Sequence, residues 1–514
     1  GQVKKESPDS LFVLYALAYE GTNQIDSAMN MMQNLANKNP QSVVAHDYLA
    51  TGELRQKNFA VSLEHGSMAV ALRPSAARWD LLGRAYAGVE LADSALLCFD
   101  KALEIDTTQS SYYFNRANTY WFLKKEVVSA YMDLTDAIRL DSLQGNYFAL
   151  RGHVLMNDYP DAAYKNFCRA ITLKDTSLSN FVARAATAAQ LGLLDSARAD
   201  LPRFKDSEEY FYWANLVKAQ LALADNKPDV CLELTKVILS EEPTDQNFVD
   251  LKVRALLLKN LQKEALNYLN SLEYKKLSLY LRRTISKLEF YEKANSENTF
   301  MANKFLYFKD INAKNFDNLF AQTKKKKGKY AYKKLAEKYS KNYLSLSPDE
   351  WFMYYLGFSS RDNFSTVSLS EMQEDALVQA IHEERYDDCI NEGLKVVEKD
   401  IELFPLYNIM AIAAMYAGYE DKVREFLYKS EAYYNAILAT GTGNSTEEAM
   451  LVFSVNHEYG ILEYLQYTSS RQTLLTQNGH SYDKLETLSL LGKPRDFYFM
   501  VDPLFLSYKK VFKK

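Results

Sequence analysis

Turn-forming residues are scarce in this 514-residue chain. It has 18 glycines and 11 prolines, 29 in all, about half of the roughly 12% average usage. Tight turns and bulges run on those two residues, so a β-sandwich, barrel or propeller is excluded, as are collagen and low-complexity disorder. Cysteine is also scarce. Cys98, Cys168, Cys231 and Cys389 lie at least 63 residues apart, which gives no C-x-x-C and no disulfide framework. They read as small buried hydrophobes. The six histidines contain no H-E-x-x-H, and there is no P-loop, G-x-S-x-G or kinase signature. No metal or cofactor is expected. The net charge is −5, too close to neutral for bulk attraction to nucleic acid. No uncharged run reaches the roughly 20 residues that span a bilayer. No signal peptide is visible either, although a removed export signal would leave the same picture.

What is present is a period. Residues 76–109 carry Trp79, Leu82, Gly83, Tyr86, Ala95, Phe99 and Ala102. Related skeletons start near residues 9, 43, 110, 145, 178, 210 and 246, at steps of 32 to 36 residues. The unit at 110 has one extra residue between its helices. Small residues at unit positions 8 and 20 let two helices approach, and aromatic residues fill the gap beside them. Pro40, Pro74 and Pro243 fall where a second helix must stop.

This pattern resembles the tetratricopeptide repeat. The resemblance implies a mostly α fold, a right-handed α–α superhelix, with helix A of each hairpin lining the concave wall. The expected domains are a solenoid over 1–303, a helical Lys-rich insert with two degenerate hairpins over 304–440, and a small α+β cap over 441–514. The concave candidates are Asp80, Arg84, Asn115, Asn118, Trp121, Asn146, His153, Asn215 and Lys218, with Asp47 beside them. Asn amides can bond an extended peptide from both sides, and Arg84 and Trp121 suit anchors. The Lys/Asn clamp that such repeats use for terminal carboxylates is not matched.

The rest is less regular. Residues 277–300 read as helix. Residues 304–341 carry 12 lysines against three acids, read as a solvated face or a surface for anionic partners. Ser347-Pro348-Asp349-Glu350 is a helix start. Trp351 reads as core, or as a sugar or peptide contact. Strands are expected at 450–455 and in a hairpin over 482–501, with short helices at 459–467 and 504–512. The loop 441–446, GTGNST, resembles a phosphate loop only loosely. Asn478, His480 and Asp483 form a second candidate site, in which His480 with Asp483 or Asp502 would make a base and its orienter, and Ser481 a nucleophile. The segments ATGTGNSTEEAMLVFSVNHEYGILEYL and QNGHSYDKLETL, with the hairpin ending FYFMVD, resemble a bacterial domain of unknown function common in exported and lipoprotein-type proteins. That resemblance implies a periplasmic or outer-membrane-associated location, with a possible lipid anchor in the precursor and the cytoplasm as alternative. The expected function is non-enzymatic: a protein- or peptide-binding scaffold in a bacterial envelope assembly. The alternative is a hydrolase-like or small-ligand site around His480.

Overall fold

The computed structural model describes residues 8–22, 24–294, 299–302, 305–360, 370–399, 403–489 and 494–502. They divide into two compact units, 1–224 and 225–514.

The N-terminal unit is a run of helical hairpins. They are α1 (Pro8–Gly21) with α2 (Ile25–Lys38), α3 (Val43–Arg55) with α4 (Phe59–Leu72), α5 (Ala76–Gly88) with α6 (Ala92–Ile105), α7 (Ser110–Thr119) with α8 (Val127–Leu140), α9 (Gly145–Leu155) with α10 (Pro160–Thr172), and α11 (Leu178–Gln190) with α12 (Leu194–Asp200). α13 (Phe211–Ala224) closes the unit. Packing explains the repeat. Ala95, Ala102, Ala130, Ala137, Ala163 and Ala170 are fully buried, as are Phe99 and Phe167. A Cβ added at Gly83 would lie 2.8 Å from the Phe99 ring, and one at Gly152 would lie 2.6 Å from Phe167. Only hydrogen fits there, so glycine sets the helix–helix distance.

The extra residue at 110–144 does not lengthen a loop. It is absorbed as a π-helical turn over Tyr120–Lys124, directly after α7, closed by Lys125 with φ of 59°. Such turns widen the helix by one residue and swing the side chains that follow.

The C-terminal unit begins with α14 (Pro228–Glu241), α15 (Gln246–Leu258), α16 (Gln262–Asn270) and α17 (Leu279–Glu292). Helix therefore stops at 292, short of the expected 300. A hairpin of β1 (Thr299–Ala302) and β2 (Phe305–Phe308) follows, paired antiparallel. Next come α18 (Phe316–Thr323), α19 (Tyr332–Asn342) and α20 (Pro348–Phe358), then α21 (Ser370–His382) with α22 (Tyr386–Lys399), and α23 (Leu406–Tyr416) with α24 (Glu420–Leu438). The start of α20 follows its sequence signal: the Ser347 N–H donates to Glu350 Oε2 at 3.0 Å. Trp351 is fully buried, ringed by Tyr339, Tyr428 and Tyr433. It is core, and no sugar or peptide can reach it. In the Lys-rich stretch, Lys329 and Lys338 pair with Asp349 and Glu350, each at 2.5 Å, while Lys324 to Lys327 are exposed.

The sheet has the order β3-β6-β5-β4, with β3 (Met450–Leu451) parallel to β6 (Pro494–Met500) and the other pairs antiparallel. Phe497 and Phe499 bury its inner face. β4 (Tyr467–Gln477) and β5 (His480–Ser489) meet at Asn478-Gly479, with φ of 54° and 82°. Two positive φ values in a two-residue loop match the sheet twist. Two expectations shift here. Strand at 450–455 shrinks to two residues, with three residues separating it from α25 (Val455–Tyr464), and the helix expected over 459–467 runs over 455–464 instead. Of the turn expected at 492–495, residues 492 and 493 lie outside the described residues, as does the helix expected at 504–512, while Pro494 and Arg495 already belong to β6.

Candidate functional site

Successive helices A touch one another in the N-terminal unit: α1 with α3, α3 with α5, α5 with α7, and α11 with α13. No two successive helices B pack as closely among the described residues. Crowding on one side and splaying on the other gathers the helix-A side chains on the inner wall.

That wall is cross-linked from hairpin to hairpin. Arg78 grips Asp47 through Nε at 2.8 Å and Nη2 at 2.7 Å. Asn115 donates to Asp80 at 2.7 Å, and Arg84 stands 3.9 Å from the other carboxylate oxygen. Arg84 keeps 46% of its side chain exposed. Ser110 and Tyr147 hydroxyls lie 3.1 Å apart. The asparagines mostly turn inward. Asn118 donates to the Phe114 carbonyl at 3.0 Å, and buried Asn215 donates to Phe211 at 2.9 Å. Their amide hydrogens serve their own helices, which weakens the expected grip on a peptide backbone. His153 is half-buried, its ring edge-on to Phe167. Burial lowers its pKa, with Asp175 opposing. Lys218 donates to the Lys205 carbonyl at 3.0 Å. Asn146 is exposed at the start of α9. Trp121 sits in the π-helical turn, half-buried against the cluster of Ala117, Ala130, Leu134, Leu150 and Val154.

Sequence reasoning missed a second series. Arg116, Arg151 and Arg184 occupy the unit position held by Leu82 in the 76–109 unit. Arg116 bridges Asp100 at 2.6 Å and Asp133 at 2.7 Å. Arg151 donates to Asn166 at 3.0 Å, and Arg184 donates to both Asp200 oxygens at 2.8 Å. The signal was there, an Arg recurring at steps of 35 and 33 residues with a polar partner on helix B. A template that expects leucine at that position hides it.

Asp80 carries the clearest electrostatic mark on the wall. Burial pushes its carboxyl up to about 6, against the pull of Asn115 and Arg84. The folded state therefore holds a proton that the unfolded chain releases nearer 3.8. The stability this group contributes is complete below the unfolded value and is lost as pH rises through 6. Asp80→Asn is expected to flatten that slope in urea unfolding between pH 4 and 7. The gain at pH 7 should be at most about 3 kcal/mol. An unchanged slope would remove Asp80 as its source.

The second candidate site separates in the fold. Alternation along β5 sends His480 and Asp483 to opposite faces. His480 Nδ1 meets the Asp502 carboxylate, and Asp502 also accepts the Ser481 N–H at 2.7 Å. The Ser481 hydroxyl, one residue along, points away from the imidazole. Asp483 instead accepts from Gln472 at 2.8 Å and faces Glu458. Glu458 is fully buried, and burial with the adjacent Asp483 holds its pKa well above the usual carboxylate range. Asn478 forms the β-turn. The loop 441–446 is tied to β6: the Gly443 N–H bonds the Glu448 carbonyl at 2.8 Å, and the Gly443 carbonyl accepts from Tyr498 at 2.9 Å. Those groups are occupied, so the loop offers no phosphate cradle at Gly443.

Residues 317–510 match the family described as "Domain of unknown function (DUF4919)". Superkiller complex protein 3 of Homo sapiens is 24% identical over 245 residues, 46% of this chain and 14% of that protein. The chain thus spans a small part of that relative's length. Among solved structures, PilW, titled a widely conserved type IV pilus biogenesis factor, is 16% identical, with TM-score 0.37, over 41% of this chain and 99% of that one. A tetratricopeptide repeat protein from Parabacteroides merdae is 14% identical, with TM-score 0.33, over 48% of this chain and 98% of that one. No helix among the described residues is long and apolar enough to cross a membrane. Residues 8–224 form a run of helical hairpins, similar to the tetratricopeptide-repeat structure named above, and residues 317–510 match the DUF4919 family.

Proposed function

We propose that the helix-A wall of the N-terminal unit binds a segment of another protein. The observation that carries this reading is the packing of helix A on helix A from α1 through α7, which joins the side chains of those neighbouring hairpins into one surface. Arg84, half exposed over a carboxyl already held by Asn115, offers a charged anchor. Trp121, half-exposed in the π-helical turn, offers an aromatic one. Large aromatic and arginine side chains carry most binding energy at such surfaces. The C-terminal resemblance to domains of exported proteins supports a bacterial envelope as the setting, which cell fractionation would check. In a pull-down from envelope extract, Arg84→Glu with Trp121→Ala is expected to lower capture of the partner by tenfold or more. Unchanged capture of every partner would overturn the reading.

A further inference from the structure

The C-terminal unit contains a cavity of about 680 Å³. It lies among α15, α16, α17, β2, α24 and α25, and its volume suits a small ligand. Its charges can be accounted for one by one. Glu431, 2% exposed, is saturated. It accepts from Arg283 at 2.8 Å, from the Tyr464 hydroxyl at 2.7 Å and from Asn435 at 3.0 Å. The Tyr291 hydroxyl completes the network on Asn435 at 2.8 Å. Arg283 and Glu431 therefore cancel. At the rim, Arg254 lies 3.4 Å from Asp250.

One cation is left over. Lys287 points its ammonium at three ring faces, Phe305 at 5.1 Å, Tyr291 at 5.6 Å and Tyr464 at 6.0 Å. No carboxylate lies within ion-pair distance of it among the described residues. Burial lowers its pKa, Arg283 lowers it further, and Glu431 opposes both. Ring faces return to a cation only part of what it loses on leaving water. The lysine is thus under-compensated by about one negative charge. Leu257, Leu288 and Leu465 supply apolar wall beside it.

We propose that this cavity binds a monocarboxylate with an apolar body, the carboxylate on Lys287 and the body against Phe305, Tyr464 and Leu288. The same chemistry is offered by a small organic acid and by the C-terminus of a peptide. The site is independent of the helix-A wall, so either can fail alone.

Calorimetry on the full chain tests it. The probes are decanoate, 3-phenylpropanoate, N-acetyl-Leu-Phe with a free carboxylate, the amide of each, and decyl phosphate. At least one carboxylate is expected to bind, and its amide to bind at least tenfold more weakly. Lys287→Met, which keeps the stem and removes the charge, is expected to show the same tenfold loss. It should melt no lower than the wild type, because a half-buried charge without an ion-pair partner is gone. If it does not fold, the carboxylate–amide comparison on the wild type decides. Tighter binding of the small acids assigns that source, and tighter binding of the peptide assigns the other. The proposal is overturned if no carboxylate binds, if amides bind equally, if folded Lys287→Met keeps the affinity, or if decyl phosphate binds more tightly than decanoate.

Discussion

Trp351→Ala is expected to cost the C-terminal unit about 3–5 kcal/mol, the usual toll of an aromatic truncation in a core. The indole is fully buried. Its ring centroid lies 5.1 Å from Tyr433 and 5.5 Å from Tyr339, both edge-on, an arrangement that adds to plain burial. Tyr433 in turn stacks on Phe404 at 5.0 Å. Collapse around the cavity would have to move rings that hold one another, so little of the loss can be recovered. Urea unfolding of the full chain, followed by near-ultraviolet circular dichroism, measures it. A loss under about 1 kcal/mol would mean that the hub repacks freely.

Glu431→Ala is expected to be as severe, about 3–5 kcal/mol, because it removes one partner of a buried ion pair and leaves the other. The carboxylate satisfies Arg283, Tyr464 and Asn435 together. Without it the guanidinium, 32% exposed, the buried Asn435 amide and the half-buried Tyr464 hydroxyl lose their acceptor. Glu431→Gln keeps one acceptor oxygen and is expected to recover part of the loss. Equal melting temperatures for Glu431→Ala and the wild type would show that water replaces the carboxylate.

The hairpin array was legible because its determinants are local and repeated. Gly83 with Phe99 and Gly152 with Phe167 are the same contact at the same offset, so the spacing alone exposes them. The arginines at 116, 151 and 184 use the same offset with different chemistry, and a search for apolar positions passes over them. β4 escaped for another reason. Its residues are exposed or half-exposed along its length, so it lacks the apolar alternation by which a strand is read. Asn478-Gly479 does mark the hairpin, since that dipeptide is the strongest short signal for one, but without an apolar alternation before it the first strand has no start to read. The second candidate site was legible as composition only. Whether His480 meets Asp483 or Asp502 depends on strand alternation and on how β6 ends, and neither follows from spacing. The cavity around Lys287 was not legible at all, because its walls come from residues 254 to 466 and no local pattern joins them.

The aromatic hub also makes the C-terminal unit optically separable. The chain has four tryptophans, and Trp79, Trp121 and Trp213 all fall before residue 225. Replacing those three with phenylalanine leaves Trp351 as the sole indole emitter, fed by excitation from tyrosines at contact distance. Its fluorescence would then report the melting of residues 225–514 alone, while the helical ellipticity reports both units. The ring cluster that holds the core together thus serves as a built-in spectroscopic label for it.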